Sequence, residues 1–83
     1  MADIKIYTTR NCPYCVAAMS FLDSKGLAFK EIDLTNDPDQ MEKLKERTGW
    51  LTVPQIFIDD ELIGGYTDLR KLESTGELEK KLL

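Results

Sequence analysis

Ile4-Lys5-Ile6-Tyr7-Thr8 and, after three intervening residues, Cys12-Pro13-Tyr14-Cys15 decide the fold. The first run alternates with period two and predicts a strand. Pro13 is favoured at the first position of a helix, so a helix begins directly after Cys12. Running to Gly26, that helix turns Ala18, Met19 and Leu22 to one side, with Val16, Ala17 and Phe21 adjoining. A pair of thiols therefore sits between a strand end and a helix start.

The chain after this unit continues the alternation. Residues 29–34 predict a second strand. Asp37-Pro38-Asp39-Gln40 opens a helix, with Asp37 as cap, Pro38 first and Gln40 placed to reach back in a capping box. Met41 and Leu44 form its apolar stripe, and Gly49 stops it. Residues 53–58 predict a third strand, turned at Asp59-Asp60 into Leu62-Ile63. Gly64-Gly65 breaks that pattern. Thr67 then caps a last helix carrying Leu69 and Leu72, interrupted at Gly76 before Leu78 and Leu82. Early strand-helix-strand order predicts parallel pairing, and the late hairpin adds an antiparallel strand. The expected fold class is α/β: a thioredoxin-like, four-stranded mixed sheet flanked by helices.

Eighty-three residues suit a single domain spanning 1–83. A net charge of −4 with no basic block argues against nucleic-acid or membrane-surface binding. No apolar run approaches the ~20 residues of a membrane span. Met1-Ala2-Asp3 leads straight into the first strand, so the expectation is a cytoplasmic chain without a secretory leader.

Two cysteines and no histidine narrow the chemistry further. Cys-His and Ser-His catalysis and imidazole metal ligands are all removed. A disulfide between Cys12 and Cys15 closes too short a loop to act as a structural staple. A thiolate is the species that attacks a disulfide, and it needs stabilisation near neutral pH. As N-cap, Cys12 faces the unpaired N–H groups of Tyr14 and Cys15 and the positive end of the helix. Cys15, one turn on, is placed to resolve a mixed disulfide on Cys12. Cys12 is thus the expected nucleophile and Cys15 the resolver. The alternative is half of a zinc site, which needs four ligands and hence a second chain here.

Val53-Pro54 is unusual before an inner strand, because proline donates nothing to the ladder. A trans proline at the strand start is its ordinary explanation, and a cis bond is the other. Paired glycines at 64–65 allow a ligand close to the backbone, and the helix start beyond them offers N–H groups to a carboxylate. Trp50 is expected in core or rim packing. The run Glu42-Lys43-Leu44-Lys45-Glu46-Arg47 is expected to be a solvated helix face.

Three blocks in order, Cys12-Pro13-Tyr14-Cys15, Thr52 to Ile58 and Gly64-Gly65-Tyr66-Thr67-Asp68-Leu69, resemble the dithiol glutaredoxins of the thioredoxin-fold superfamily. The resemblance covers essentially the whole chain. It implies a glutathione-dependent oxidoreductase acting on protein disulfides and glutathione mixed disulfides, with electrons from NADPH through glutathione reductase. Glutathione is then a cosubstrate, no cofactor is tightly bound, and the protein is a monomer. The resemblance also implies a cis Pro54 and a Val53 backbone that pairs with the cysteinyl part of glutathione. It places the γ-glutamyl carboxylate on the N–H groups of Thr67 and Asp68, the ammonium near the Asp68 side chain, and Tyr14 beside the ligand. Two positions depart from the pattern. Many relatives carry Lys where Thr9 stands, and Gln or Lys where Glu46 stands, to meet the glycine carboxylate; Arg10 and Arg47 are the neighbouring substitutes. The rival readings are a glutaredoxin-like redoxin reduced by thioredoxin reductase, against which Pro13-Tyr14 counts, and a glutathione-ligated iron–sulfur scaffold, which Pro13 disfavours.

Overall fold

Residues 2–83 are described by a computed structural model, and Met1, where the leader expectation begins, lies outside them. β1 spans Ile4–Thr8, α1 Pro13–Ser24, β2 Lys30–Asp33, α2 Pro38–Thr48, β3 Gln55–Ile58 and β4 Glu61–Gly64. α3 spans Tyr66–Thr75 and α4 Glu77–Leu82. The sheet order is β2-β1-β3-β4. β1 pairs parallel with β2, while β3 runs antiparallel to both β1 and β4. A helical crossover must separate parallel neighbours, and α1 supplies it. The mixed four-stranded, thioredoxin-like sheet is the architecture that the alternation predicts.

Period-two alternation in β1 sends Ile4, Ile6 and Thr8 to one face, all buried. There Ile4, Ile6, Ile56 and Ile58 of the sheet meet Ala18 and Leu22 of α1, Leu69 of α3 and Leu78 of α4. The opposite face carries a smaller cluster, Leu34, Leu44 and Phe57, with Tyr7, Ile32, Met41 and Leu62 packed around it. β3 is covered on both faces, so every one of its residues is buried. Truncating Leu22 or Ile56 in the larger cluster costs about 2–5 kcal/mol by the usual large-to-small scale. Among the described residues no helix is long and apolar enough to cross a membrane.

Several local expectations change. Thr67 is not the cap of α3; Gly65 is, and Asp68, three residues on, accepts the Gly65 N–H. The carboxylate reaches back to the helix start, so a hydroxyl at the cap is not needed. The capping box at α2 forms by half. Asp37 Oδ1 accepts from Gln40 N, but the Asp37 N–H already donates to Leu34 O. β3 begins at Gln55, leaving Val53 and Pro54 outside the strand, and β2 is trimmed to Lys30–Asp33. Val16 does not adjoin the core but is 59% exposed. The Asp59-Asp60 hairpin closes with both residues left-handed, at φ 51° and 67°. Short polar side chains tolerate that region, so the turn forms without glycine or asparagine.

Candidate functional site

The loop after β1 is pinned before it reaches the thiols. Arg10 N donates to Thr35 Oγ1 at 2.7 Å, and Thr35 in turn bonds Asp33 Oδ1 through both its hydroxyl and its N–H. Those bonds hold the Asp33 carboxyl below the usual carboxylate range: the Thr35 hydroxyl first, then the backbone N–H, with Arg10 adding a smaller pull. Asn11 takes a left-handed turn at φ 60°, and the chain enters α1 at Cys12.

Cys12 caps α1 in extended conformation, and its Sγ accepts the Cys15 N–H at 3.1 Å. Pro13 at the first helical position has no N–H to compete. Cys12 and Cys15 form a disulfide, with Cα atoms 5.2 Å apart. Their exposures differ: Cys15 is 1% exposed, whereas Cys12 is only partly buried. The arrangement is a redox dithiol with one outer and one inner sulfur. The peptide bond before Pro54 is cis, and Val53 O lies 3.8 Å from Cys12 Sγ.

Val53 also lines a groove of about 170 Å³ that leads away from the sulfurs. Tyr14, Trp50, Thr52, Val53, Pro54, Gly65, Tyr66, Thr67 and Asp68 line it. The first helical hydrogen bond of α3 runs from Leu69 N to Gly65 O, so the N–H groups of Thr67 and Asp68 have no intrahelical acceptor. Asp68 Oδ2 lies 3.0 Å from Gly65 N and directly over Gly64. Helix N–H groups, a positive dipole end and one carboxylate are thereby set at the far end of the groove.

Two aromatic members escaped the sequence reading. Tyr66 stacks on Tyr14 at 6.2 Å between ring centroids, and Arg70 Nη1 donates to its hydroxyl at 2.8 Å. Trp50, expected in core or rim packing, is a wall of the groove. Gln55, wholly buried, donates to Trp50 O at 2.6 Å and fixes the chain there. For Tyr66 the available signal was its place directly after the paired glycines; for Trp50, which follows Gly49, the sequence offered none.

The glutaredoxin family model matches residues 4–63 of this chain. The chain belongs to the glutaredoxin family. It is 44% identical over 82 residues to Glutaredoxin 3 of Escherichia coli K12, covering 99% of each protein. The solution structure of a glutaredoxin from Brucella melitensis, 44% identical, superposes with a TM-score of 0.84 over 96% of this chain and 87% of that one. A crystal structure of a buckwheat glutaredoxin–glutathione complex, 26% identical, gives 0.89 over 98% and 76%. A redox-active Cys12–Cys15 centre on a thioredoxin-like fold makes this glutaredoxin a thiol–disulfide oxidoreductase.

Five of the residues singled out in the sequence, Tyr14, Val53, Pro54, Thr67 and Asp68, meet in the one groove beside Cys12. Arg10 and Arg47 do not line it. In this glutaredoxin the Arg47 guanidinium lies over the Phe57 ring, 5.6 Å from its centroid, on the α2 face of the sheet. Arg10 borders a separate cavity that also holds Thr9, Cys12 and Asp33. Glu46 is exposed on α2.

Proposed function

We propose that this glutaredoxin reduces protein disulfides and glutathione mixed disulfides with glutathione as its cosubstrate. The observation that carries this reading is the groove that starts at Val53, beside Cys12 Sγ, and ends at the free N–H groups of Thr67 and Asp68. Its polarity suits a tripeptide thiol: a sulfur at one end and an α-carboxylate with its ammonium at the other. Val53 pairs with the cysteinyl backbone. The γ-glutamyl carboxylate takes the α3 N–H groups, its ammonium takes Asp68, and the Tyr14 ring flanks the ligand.

In the dithiol mode the Cys12 thiolate attacks a substrate disulfide, and one substrate sulfur leaves as thiolate. Cys15 then attacks Cys12 Sγ and releases the second, leaving Cys12–Cys15 oxidised and the substrate reduced by two electrons. In the monothiol mode Cys12 attacks the glutathione sulfur of a mixed disulfide, the protein thiolate leaves, and a second glutathione removes the first as glutathione disulfide. Glutathione reductase and NADPH return the electrons. The Cys15 N–H and the positive end of α1 stabilise the Cys12 thiolate in each step and in each leaving event. The chain acts as a single-domain monomer in the reducing cytoplasm, where a labile dithiol is kept poised.

The deciding measurement is NADPH consumption with 2-hydroxyethyl glutathione disulfide. Turnover with glutathione plus glutathione reductase, and none with thioredoxin reductase alone, is expected. The reverse pattern would assign the chain to the redoxins that take electrons from thioredoxin reductase.

A further inference from the structure

Two concavities lie near Cys12, one reached through Val53 and one that Cys12 itself borders. Besides the groove at Val53 there is a cavity of about 530 Å³, and the two share no lining residue. Both cysteines border this second cavity. Pro13, Val16 and Met19 give it an apolar side, and Val16 stands 59% exposed. Glu31 and Asp33 of β2 give it an acidic side. Glu31 Oε2 accepts from Thr8 Oγ1 at 2.8 Å, and Asp33 Oδ1 accepts from Thr35. Among the described residues the other oxygen of each carboxylate accepts no hydrogen bond. Arg10 borders the same cavity and offsets part of the Asp33 charge, so Glu31 is the less compensated of the two.

We propose that this cavity is the docking subsite for the polypeptide segment around a substrate cysteine, and that it favours a cysteine with apolar and basic neighbours. The inference rests on the thiol–disulfide activity and not on glutathione. The groove at Val53 is lined by neither cysteine, whereas this cavity is about three times larger and is bordered by both. Apolar neighbours cover Pro13 and Val16. A lysine or arginine side chain reaches the uncommitted carboxylate oxygens, with its stem lying along the apolar side. Rim charges of this kind act mainly on the encounter rate, and salt weakens them.

The test uses the reduced protein without glutathione, so the cosubstrate reading can fail independently. Two capped pentapeptides, Lys-Leu-Cys-Leu-Lys and Glu-Leu-Cys-Leu-Glu, are prepared as mixed disulfides with thionitrobenzoate. The Cys12 thiolate attacks the peptide sulfur, and thionitrobenzoate leaves with the bond's electron pair and is read by its colour. Cys15 then attacks Cys12 Sγ, and the peptide departs as a thiolate that takes a proton from solvent. At low salt the lysine peptide is expected to react about two- to fivefold faster per effective charge contact. Glu31→Gln with Asp33→Asn should level the two peptides, while Glu77→Gln with Glu79→Gln on α4 should keep the preference. Equal rates in the unmodified protein overturn the proposal. So does a preference that survives in the β2 variant, or one lost equally in the α4 variant, which would assign it to net charge.

Discussion

The backbone N–H of Cys15 points at Cys12 Sγ from 3.1 Å, while the sulfur of Cys15 itself is buried beneath it. One residue thus serves its partner twice, with its main chain as a hydrogen-bond donor and with its side chain as the inner sulfur. The two cysteines should therefore fail differently. Cys12→Ser is expected to abolish reduction of both protein disulfides and glutathione mixed disulfides. Cys15→Ser keeps the N–H and removes only the resolving sulfur, so it should lose the first reaction and retain the second. Loss of both in Cys15→Ser, measured in paired NADPH-coupled assays, would reverse the assignment of roles.

The same hydrogen bond bears on the ionisation of the outer thiol in the reduced protein. No histidine exists in the chain, and the group seen on the sulfur is the Cys15 N–H at the helix start, with the helix dipole behind it. Alkylation of Cys12 by iodoacetamide, followed against pH in Cys15→Ser, should show its inflection below the free-thiol value of ~8.5. An inflection at or above that value would leave the capping geometry without effect on the chemistry.

The Asp33–Thr35–Arg10 chain of hydrogen bonds makes a separate claim about acid. The Thr35 hydroxyl, then its N–H, hold the Asp33 carboxyl below its ordinary value. A group depressed in the folded state stabilises above its unfolded pKa of ~3.9, and that contribution fades as pH falls through the lower folded value. Carbon-detected NMR titration should find Asp33 titrating below the ordinary aspartate value. Thr35→Ala should move it upward only part of the way, because the backbone N–H stays. A midpoint unmoved by Thr35→Ala would remove the hydroxyl as the leading cause.

Gly64 has the most confined environment among the glycines. Its φ is +120°, and a Cβ there would lie 2.6 Å from Asp68 Oδ2. Gly26 shares the positive φ, at +71°, but a Cβ there meets nothing within 4 Å. Gly26→Ala should cost about 1–2 kcal/mol for the left-handed backbone alone. Gly64→Ala should cost more, because the Asp68 carboxylate must also leave the Gly65 N–H, a cap contact typically worth ~0.5–2 kcal/mol. In a chain of this length each kcal/mol lowers Tm by about 4–8 °C. Thermal melts of the two variants with equal Tm would show that Asp68 moves aside freely.

Strands, helices and the dithiol were legible because each rests on a local rule: period two in β1, proline after Cys12, glycine at the end of α2. Cis Pro54 was not legible from the residues alone; only the resemblance implied it. Gly65 rather than Thr67 at the start of α3 depended on where the Asp68 carboxylate turned, which the spacing of residues does not show. Trp50 became a groove wall because Gln55 holds its carbonyl and Gly65 leaves room beside its ring, both contacts across the fold. Arg10 and Arg47 were adjacent in sequence to the expected cation positions. Direction separated them: Arg10 turns toward Asp33, Arg47 toward Phe57.

That separation leads to a prediction about affinity for glutathione. The resemblance implies that a Lys at the position of Thr9 would meet the glycine carboxylate; Thr9 and Arg10 both border the second cavity and, like Arg47, stand outside the groove at Val53. On the proposed glutathione reading the glycine end then lies beyond the groove, and Thr9→Lys should add a cation for it there. An exposed contact of this kind is worth ~0.2–1 kcal/mol, so the gain is about fivefold at most. It should appear as a lower KM for glutathionylated substrate with kcat little changed, because the carboxylate is remote from the sulfurs and binds alike in ground and transition states. Glu46→Gln should act in the same direction by removing a repulsion. Both gains should shrink as salt is added, since screened surface charges lose their reach. If instead Thr9→Lys changes nothing and Arg10→Ala or Arg47→Ala raises KM, an arginine swings onto the carboxylate when the ligand binds, and the missing cation is supplied by motion rather than by position.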